Sequence, residues 1–287
     1  MIKFGMHLFT FTERMDDSAL DILGKLKEMG YDGCEVPLVA EQLHLIDPKK
    51  VRARLKELDM HCVTGAGISN DMSIISEDKD VRKRGIDHVK RCIDMTSEMG
   101  AALVCGSLYG PFGIRPKLPR TQDQWDRSVE SLRECARHAA KHGVTIGLEP
   151  LNRYEHFFIN TAADAVKLIG DIGEPNVRVH LDTYHMNIEE KDIYRTVVAT
   201  GALLCHVHTS ENDRGIPGTG HVDWDGLCKG LFETHYDGWI VLESFFKSIP
   251  EIADFTPIWR MLAPSADVLA KQGLEYLKGK FKQYQKK

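Results

Sequence analysis

Short apolar runs alternate with longer segments of helical spacing along the whole chain. The runs are Lys3–Phe9, Asp32–Pro37, His61–Ala66, Ala101–Cys105, the VTIGLE stretch from Val144, Val177–Asp182, Leu203–Thr209 and Trp239–Glu243. Runs of this length between turn signals predict strands buried on both faces, as in a parallel sheet. The intervening segments carry apolar residues on one helical stripe. Asp17–Met29 has Leu20, Leu23 and Leu26 and stops at Gly30; Asp78–Met99 has Ile86, Val89 and Ile93 and stops at Gly100. Pro48–Leu58 has proline in its first turn, and about Asp123–Lys141 carries Trp125, Val129, Leu132 and Ala136. Further helices are predicted to open at Thr161, where Asp164 is placed for a capping box, over about Glu190–Ala199, from about Trp224, and from about Ile258 to the end.

Eight strands in strict alternation with helices imply parallel pairing and right-handed crossovers. No shift of composition marks a linker. The expectation is an α/β chain forming one domain over residues 1–287, a (β/α)8 TIM barrel with a C-terminal helical extension. An open doubly wound sheet would want a glycine-rich fingerprint after the first strand, and FTFTERMDD offers none.

Four of the runs end in a group that an apolar strand does not need. The fifth delivers Glu149 just before Pro150, the sixth Asp182, the seventh His208 and the eighth Glu243. In a barrel all four fall at the C-terminal mouth. One acid at a strand end reads as a helix cap or a surface charge. Four such groups, each closing an apolar run where an unpaired charge is costly to bury, predict one site with a shared counter-charge. A divalent metal is the simplest choice, and a ligand set of Glu149, Asp182, His208 and Glu243 suits Mn2+, Co2+ or Mg2+ better than Zn2+.

Composition narrows the rest. A net charge of -5 argues against a nucleic-acid surface. The absence of a long apolar run and of a signal-like N-terminus predicts no membrane span. Seven scattered cysteines, odd in number and without a CxxC pair, predict reduced thiols in a cytoplasmic compartment. With thirteen histidines, position matters more than presence. His180 and His206 lie two residues before Asp182 and His208, which places them one layer deeper as hydrogen-bonded core groups behind the metal site. His185 stands past its strand end, as a substrate contact. His7 on the first strand either lines the pocket or packs. Arg214, in the loop Ser210–His221, sits in a compact turn shaped by glycine and proline. Glu155 reads as a surface acid or a hydrogen-bonding neighbour of the site. Tyr109 and Phe112, in GSLYGPFG, read as loop packing or as an apolar lid wall.

The stretches GLEPLNRYE, LDTYHMNIEE, HVHTSENDRGIPGTGHVDW and VLESF, with the TGAGI loop after the third strand, resemble the ketose 3-epimerase family, which includes D-tagatose, D-allulose (psicose) and L-ribulose 3-epimerases. The resemblance runs through nearly the whole chain and is densest over residues 144–245. It implies a xylose-isomerase-like barrel holding one divalent metal per subunit, usually Mn2+ or Co2+, on Glu149, Asp182, His208 and Glu243. It implies Glu149 and Glu243 as the acid/base pair, and Glu155, His185 and Arg214 as groups holding the O1–O3 end of a small ketose. It further implies a homodimer or homotetramer. His7 stands where several D-allulose and D-tagatose enzymes have an aromatic residue, and GSLYGPFG is more similar to the L-ribulose-preferring branch. Other readings on this scaffold are an aldose–ketose or hydroxypyruvate-type isomerase, an inosose dehydratase, an apurinic endonuclease and a catalytically inert sugar-binding module.

Overall fold

The computed structural model describes residues 2–246 and 256–285. Eight strands close into one parallel barrel in chain order: β1 (Lys3–His7), β2 (Gly33–Leu38), β3 (His61–Ala66), β4 (Leu103–Gly106), β5 (Thr145–Leu148), β6 (Val177–Asp182), β7 (Leu204–His208) and β8 (Trp239–Leu242). The helices are α1 (Ala19–Met29), α2 (Pro48–Glu57), α3 (Lys79–Glu98), α4 (Gln122–Lys141), α5 (Ala162–Ile172), α6 (Thr183–Glu189), α7 (Ile193–Thr200), α8 (Trp224–Glu233) and α9 (Ala266–Gln285).

The strand pattern has a period of two. Ile146, Leu148, Val179, Leu181, Ile240 and Leu242 belong to the apolar layer between strands and helices. The alternate positions point into the barrel. Val63, Leu103 and Val241, on strands that are not all neighbours, meet there in a small separate cluster with Cys205 and Trp239 against it. Nearer the C-terminal ends the inward positions become His7, Glu35, Glu149, Asp182, His208 and Glu243. An apolar plug thus floors a polar mouth. On the outside, Val89 and Ile93 of α3 and Leu132 and Ala136 of α4 are completely buried. Burying a Val, Leu or Ile side chain contributes roughly 1.5–3 kcal/mol, so these stripes hold the helices on the barrel.

Apart from α1, the described α-helices begin where a side chain supplies an acceptor for their free N–H groups. Asp47 accepts from Lys49 and Lys50, Asp78 from Asp80 and Val81, and Thr121 and Thr161 form capping boxes with Gln124 and Asp164. Among the boundaries that differ from those expected, three have a clear local cause. The first strand stops at His7 because Leu8–Thr10 coils into a 3-10 turn, with His7 Nδ1 accepting from the Phe9 N–H. The helix expected from Glu190 begins at Ile193, capped by Asp192, and is preceded by α6, which Asp182 caps from the end of β6. The C-terminal helix starts at Ala266 rather than Ile258. Pro264 disfavours helix before it, and Ser265 Oγ accepts from Val268 N–H in the first turn. The last two residues of that tail lie outside the described residues. All seven cysteines are free thiols. No described helix is long and apolar enough to cross a membrane.

Gly106 closes β4 in the left-handed half of backbone space, with φ 123°, and a Cβ there would fall on the Ala66 carbonyl of β3. Gly106→Ala is therefore expected to destabilise the barrel by about 1–3 kcal/mol, seen as a lower urea midpoint with an unchanged slope.

Candidate active site

A cavity of about 530 Å3 opens at the C-terminal mouth, and His7, Phe112, Glu149, Glu155, His185, His208, Arg214 and Glu243 all line it. Asp182 lies just beneath, 1% exposed. Glu149 and Glu243 directly follow the last residues of β5 and β8, while Asp182 and His208 close β6 and β7 in register with each other. Ligand atoms of these four converge within 4.8 Å of one another. His208 Nδ1 is the hub: it lies 3.4 Å from Glu243 Oε2, 3.7 Å from Glu149 Oε1 and 4.0 Å from Asp182 Oδ2. This buried nitrogen has no hydrogen-bond partner.

Asp182 divides its two oxygens between jobs. Oδ1 accepts from Tyr184 N–H at the start of α6, and Oδ2 faces the site. The backbone of Glu149 is fixed from behind. Tyr109 is fully buried, and its hydroxyl donates to the Glu149 carbonyl at 2.7 Å. Tyr109 is therefore packing under the site and not a lid. Phe112 does line the cavity.

Arg214 supplies the nearest fixed positive charge. Its Nη1 donates to Asp182 Oδ2 and Glu243 Oε2, both at 2.6 Å, and to Ser210 Oγ at 2.8 Å. The guanidinium lies over the ring of Tyr184, 4.0 Å from its centroid. The residue holds φ 66°, costly for a side chain of this size. What fixes its loop is Glu211, fully buried, which accepts from Gly218 N–H, Val222 N–H and the Trp224 indole N–H. The sequence shows the glycines and proline of this loop but gives no sign that a buried acid organises it.

His185 sits on the first turn of α6. Both the backbone N–H and the side-chain amide of Asn152 donate to its Nδ1, at 3.1 and 2.9 Å. The backbone N–H can only donate, so Nδ1 carries no proton and the proton is on Nε2, which lies 3.8 Å from Glu149 Oε1; the Arg214 Nη2 contact to Nε2, at 3.4 Å, is the longer one and gives way to this assignment. The same Asn152 amide donates to Glu155 Oε1 at 2.8 Å. Asn152 thus ties His185 to Glu155. His7 reaches toward the site from the other wall, with Nε2 3.9 Å from Glu243 Oε1.

Behind His208 stands a residue that the sequence reading passes over. Glu35 of β2 is 1% exposed, and its Oε2 lies 2.8 Å from Nε2 of both His206 and His208. The signal for it was a charged residue inside the otherwise apolar run GCEVPL. His206 is hydrogen-bonded in the core, as expected. His180 is not: it is completely buried and packs edge-on against His208, yet neither ring nitrogen has a hydrogen-bond partner.

Four buried acids (Glu35, Glu149, Asp182 and Glu243) thus face one buried guanidinium. The mismatch shows in their proton affinities. Burial pushes Glu149 well above the usual carboxylate range, with Glu243 and Asp182 adding to the push against His208. Burial likewise raises Asp182, to about 6, against the pull of Arg214. Burial also acts to raise Glu243, but His208 and Arg214 outweigh it and hold that carboxyl well below the usual range. For His208, burial is overcome by Glu35 and Glu243, which raise it. Burial and Arg214 keep His185 neutral. Three carboxylates and an unpartnered imidazole nitrogen converging on one buried point, short of positive charge, fit a hard divalent cation of the Mn2+, Co2+ or Mg2+ type.

Residues 23–279 match the xylose isomerase-like TIM barrel family. The chain is 32% identical to a ketose 3-epimerase of Arthrobacter globiformis over 282 residues, covering 97% of this chain and 96% of that one. The chain belongs to the ketose 3-epimerase family. It is accordingly an enzyme of the isomerase class. A solved L-ribulose 3-epimerase has the same fold, with a TM-score of 0.94 at 30% identity over 100% of this chain and 96% of that one. A D-allulose 3-epimerase of Methylomonas sp., solved with D-allulose, gives 0.92 at 30% identity over 97% of each chain. The family resemblance and the barrel expected from the sequence are both borne out.

The raised proton affinity of Glu149 has a definite sign in stability. The protonated form suits the buried site, so its contribution is present at low pH and is lost as pH rises through the raised value. Glutamine stays neutral throughout. With divalent ions removed by a chelator, Glu149→Gln is expected to gain stability over the parent as pH rises above the ordinary carboxylate value. The gain reaches at most about 1.4 kcal/mol per pH unit. Urea unfolding of both proteins across a pH series measures it, and parallel profiles would count against a protonated Glu149.

Proposed function

We propose that the protein is a metal-dependent ketose 3-epimerase, which inverts C3 of a free ketose by removing a proton from one face and returning one to the other. The observation that carries this reading is the pair Glu149 and Glu243. They reach one buried point from β5 and β8, so two carboxyl groups meet at one place from different strands. One group to take the C3 proton and a second to return one are what a two-base epimerisation needs.

The C3 hydrogen of a ketose is acidic because it lies next to the C2 carbonyl. Glu243, ionised, takes that proton. The electron pair of the C3–H bond forms a C2–C3 double bond, and the carbonyl electrons move onto O2, giving a cis-enediolate. Glu149, protonated, then delivers its proton to the opposite face of C3 while the O2 electrons reform the carbonyl. Each turnover leaves the two acids with exchanged protons, and exchange with solvent resets them. In the reverse direction their roles exchange. Glu149, Asp182, His208 and Glu243 would hold a divalent ion, with Mn2+ favoured over Co2+ or Mg2+, and it would supply Lewis-acid polarisation of the carbonyl worth several kcal/mol.

The surrounding side chains act on the charge that develops. Neutral His185 offers its Nε2–H to an oxygen that becomes negative. Arg214 adds a fixed positive charge on the same side. Glu155, held by Asn152, accepts from a sugar hydroxyl. His7 and Phe112 belong to the wall that meets the rest of the sugar. A cavity of about 530 Å3 accommodates a ketopentose or ketohexose such as L-ribulose, D-allulose or D-tagatose.

Incubation of the Mn2+-loaded protein in D2O with D-fructose, D-tagatose, D-allulose, L-ribulose and D-xylulose, followed by NMR, tests the reaction. The expected product is the C3 epimer carrying deuterium at C3. An aldose, or deuterium at C1, would point instead to an aldose–ketose isomerase. Glu149→Gln and Glu243→Gln are each expected to lower turnover by about 10²–10⁴-fold without loss of fold. Undiminished turnover in either would refute the two-base scheme.

A further inference from the structure

We propose that Glu35 is a positioning residue that sets which nitrogen of His208 is presented to the cation, and so sets the strength with which the site holds it. This rests on the reading above that Glu149, Asp182, His208 and Glu243 hold a divalent ion. Glu35 takes no part in the proton transfers. It lies on β2, which β1 and β8 separate from β7, so its carboxylate crosses the barrel interior to reach His208.

A carboxylate can only accept, so two imidazoles bound to one oxygen must both donate. Nε2 of His208 and Nε2 of His206 each lie 2.8 Å from Glu35 Oε2. Each ring therefore carries a proton on Nε2. For His208 this turns Nδ1 toward Glu243, Glu149 and Asp182, at 3.4, 3.7 and 4.0 Å. Without the pull on Nε2 the ring could place its proton on Nδ1 and donate it to a carboxylate, which would remove the only nitrogen from the set. A carboxylate behind a ligating imidazole also raises the basicity of the ligand.

Glu35 is held for this task. Its other oxygen is faced by Cys105 Sγ at 3.6 Å, which donates to it, and by His7 Nε2 at 3.7 Å. Room for the carboxylate comes from β3: a Cβ on Gly65 would lie 2.5 Å from Glu35 Oε1. The absence of a side chain at position 65 and the presence of an acid at 35 are two halves of one arrangement.

The test compares Mn2+ affinity, by calorimetry or the EPR signal of free Mn2+, for the parent, Glu35→Gln, Gly65→Ala and Asp182→Asn. Glutamine has the size of glutamate but offers an N–H₂ in place of one acceptor. Gly65→Ala pushes the native carboxylate aside without removing it. Both are expected to weaken Mn2+ binding by about 10–100-fold and to shift the visible absorption of the Co2+-loaded protein. Circular dichroism in chelator is expected to match the parent. Parent-like Mn2+ affinity and Co2+ spectrum in Glu35→Gln, with Asp182→Asn clearly impaired, would overturn the role of Glu35 alone. Equal affinity in the parent and Asp182→Asn would instead overturn the four-residue metal site. If Glu35→Gln does not fold, Gly65→Ala decides by the same criteria.

Discussion

Several negative charges held in one buried place govern this structure. Glu149, Asp182 and Glu243 crowd around His208, with Glu35 behind it, and each is almost removed from water. Like charges at such distances cannot all remain ionised without compensation. Arg214 compensates in part, donating to two of the acids at once. Holding it there requires backbone at φ 66°, and the surrounding loop over-determines that conformation: Glu211 ties three later N–H groups together, and Ser244 Oγ donates to the Arg214 carbonyl. The backbone strain at Arg214 and the deep burial of Glu211 are thus consequences of one electrostatic demand.

The barrel meets that demand because its strands have two faces. One set of alternate side chains packs against the helices and supplies the apolar burial. The other set points inward, where an apolar floor gives way to polar groups near the strand ends. Stability and chemistry are thereby assigned to different parities of the same strands. Asp182 shows how closely the two are joined. It ends β6, caps α6 with one oxygen, faces the site with the other, and through α6 places His185 one turn away. Changing that residue disturbs a helix start, an ion pair and the site together.

What was legible in the sequence follows from this division. Glu149, Asp182, His208 and Glu243 each close an apolar run, where a charged or polar group stands out, and the barrel brings the ends of consecutive runs together. Glu35 was not legible as a site residue. It stands within its run and not at its end, and its partners on β7 are some 170 positions away in sequence. Inward parity alone would have placed it with His7, its register partner on β1. The start of α6 was missed because Asp182 reads equally well as a strand end and as a helix cap. For Tyr109 the sequence leaves loop packing and a lid wall open, because a glycine- and proline-rich loop gives no sign of depth; its hydroxyl finds a buried carbonyl, which makes it packing. His180 followed its strand parity into the core, but the hydrogen bonds expected for it are not formed.

On the proposed reading, the same geometry separates the reaction from the choice of sugar. The proposed acids, the hub imidazole and the arginine sit on strand ends or on a loop locked by a buried glutamate, so their relative positions are set by the barrel. Phe112, by contrast, comes from the segment between β4 and α4, and His7 from the last position of β1, where the chain turns into a 3-10 coil. Both border the cavity. A change of size or polarity at Phe112 would reshape the proposed sugar wall while leaving Glu149 and Glu243 in place, whereas His7, 3.9 Å from Glu243 and 3.7 Å from Glu35, is tied to the reacting end as well. A constant reacting end and a variable wall are what one scaffold needs to apply a single proton transfer to several sugars.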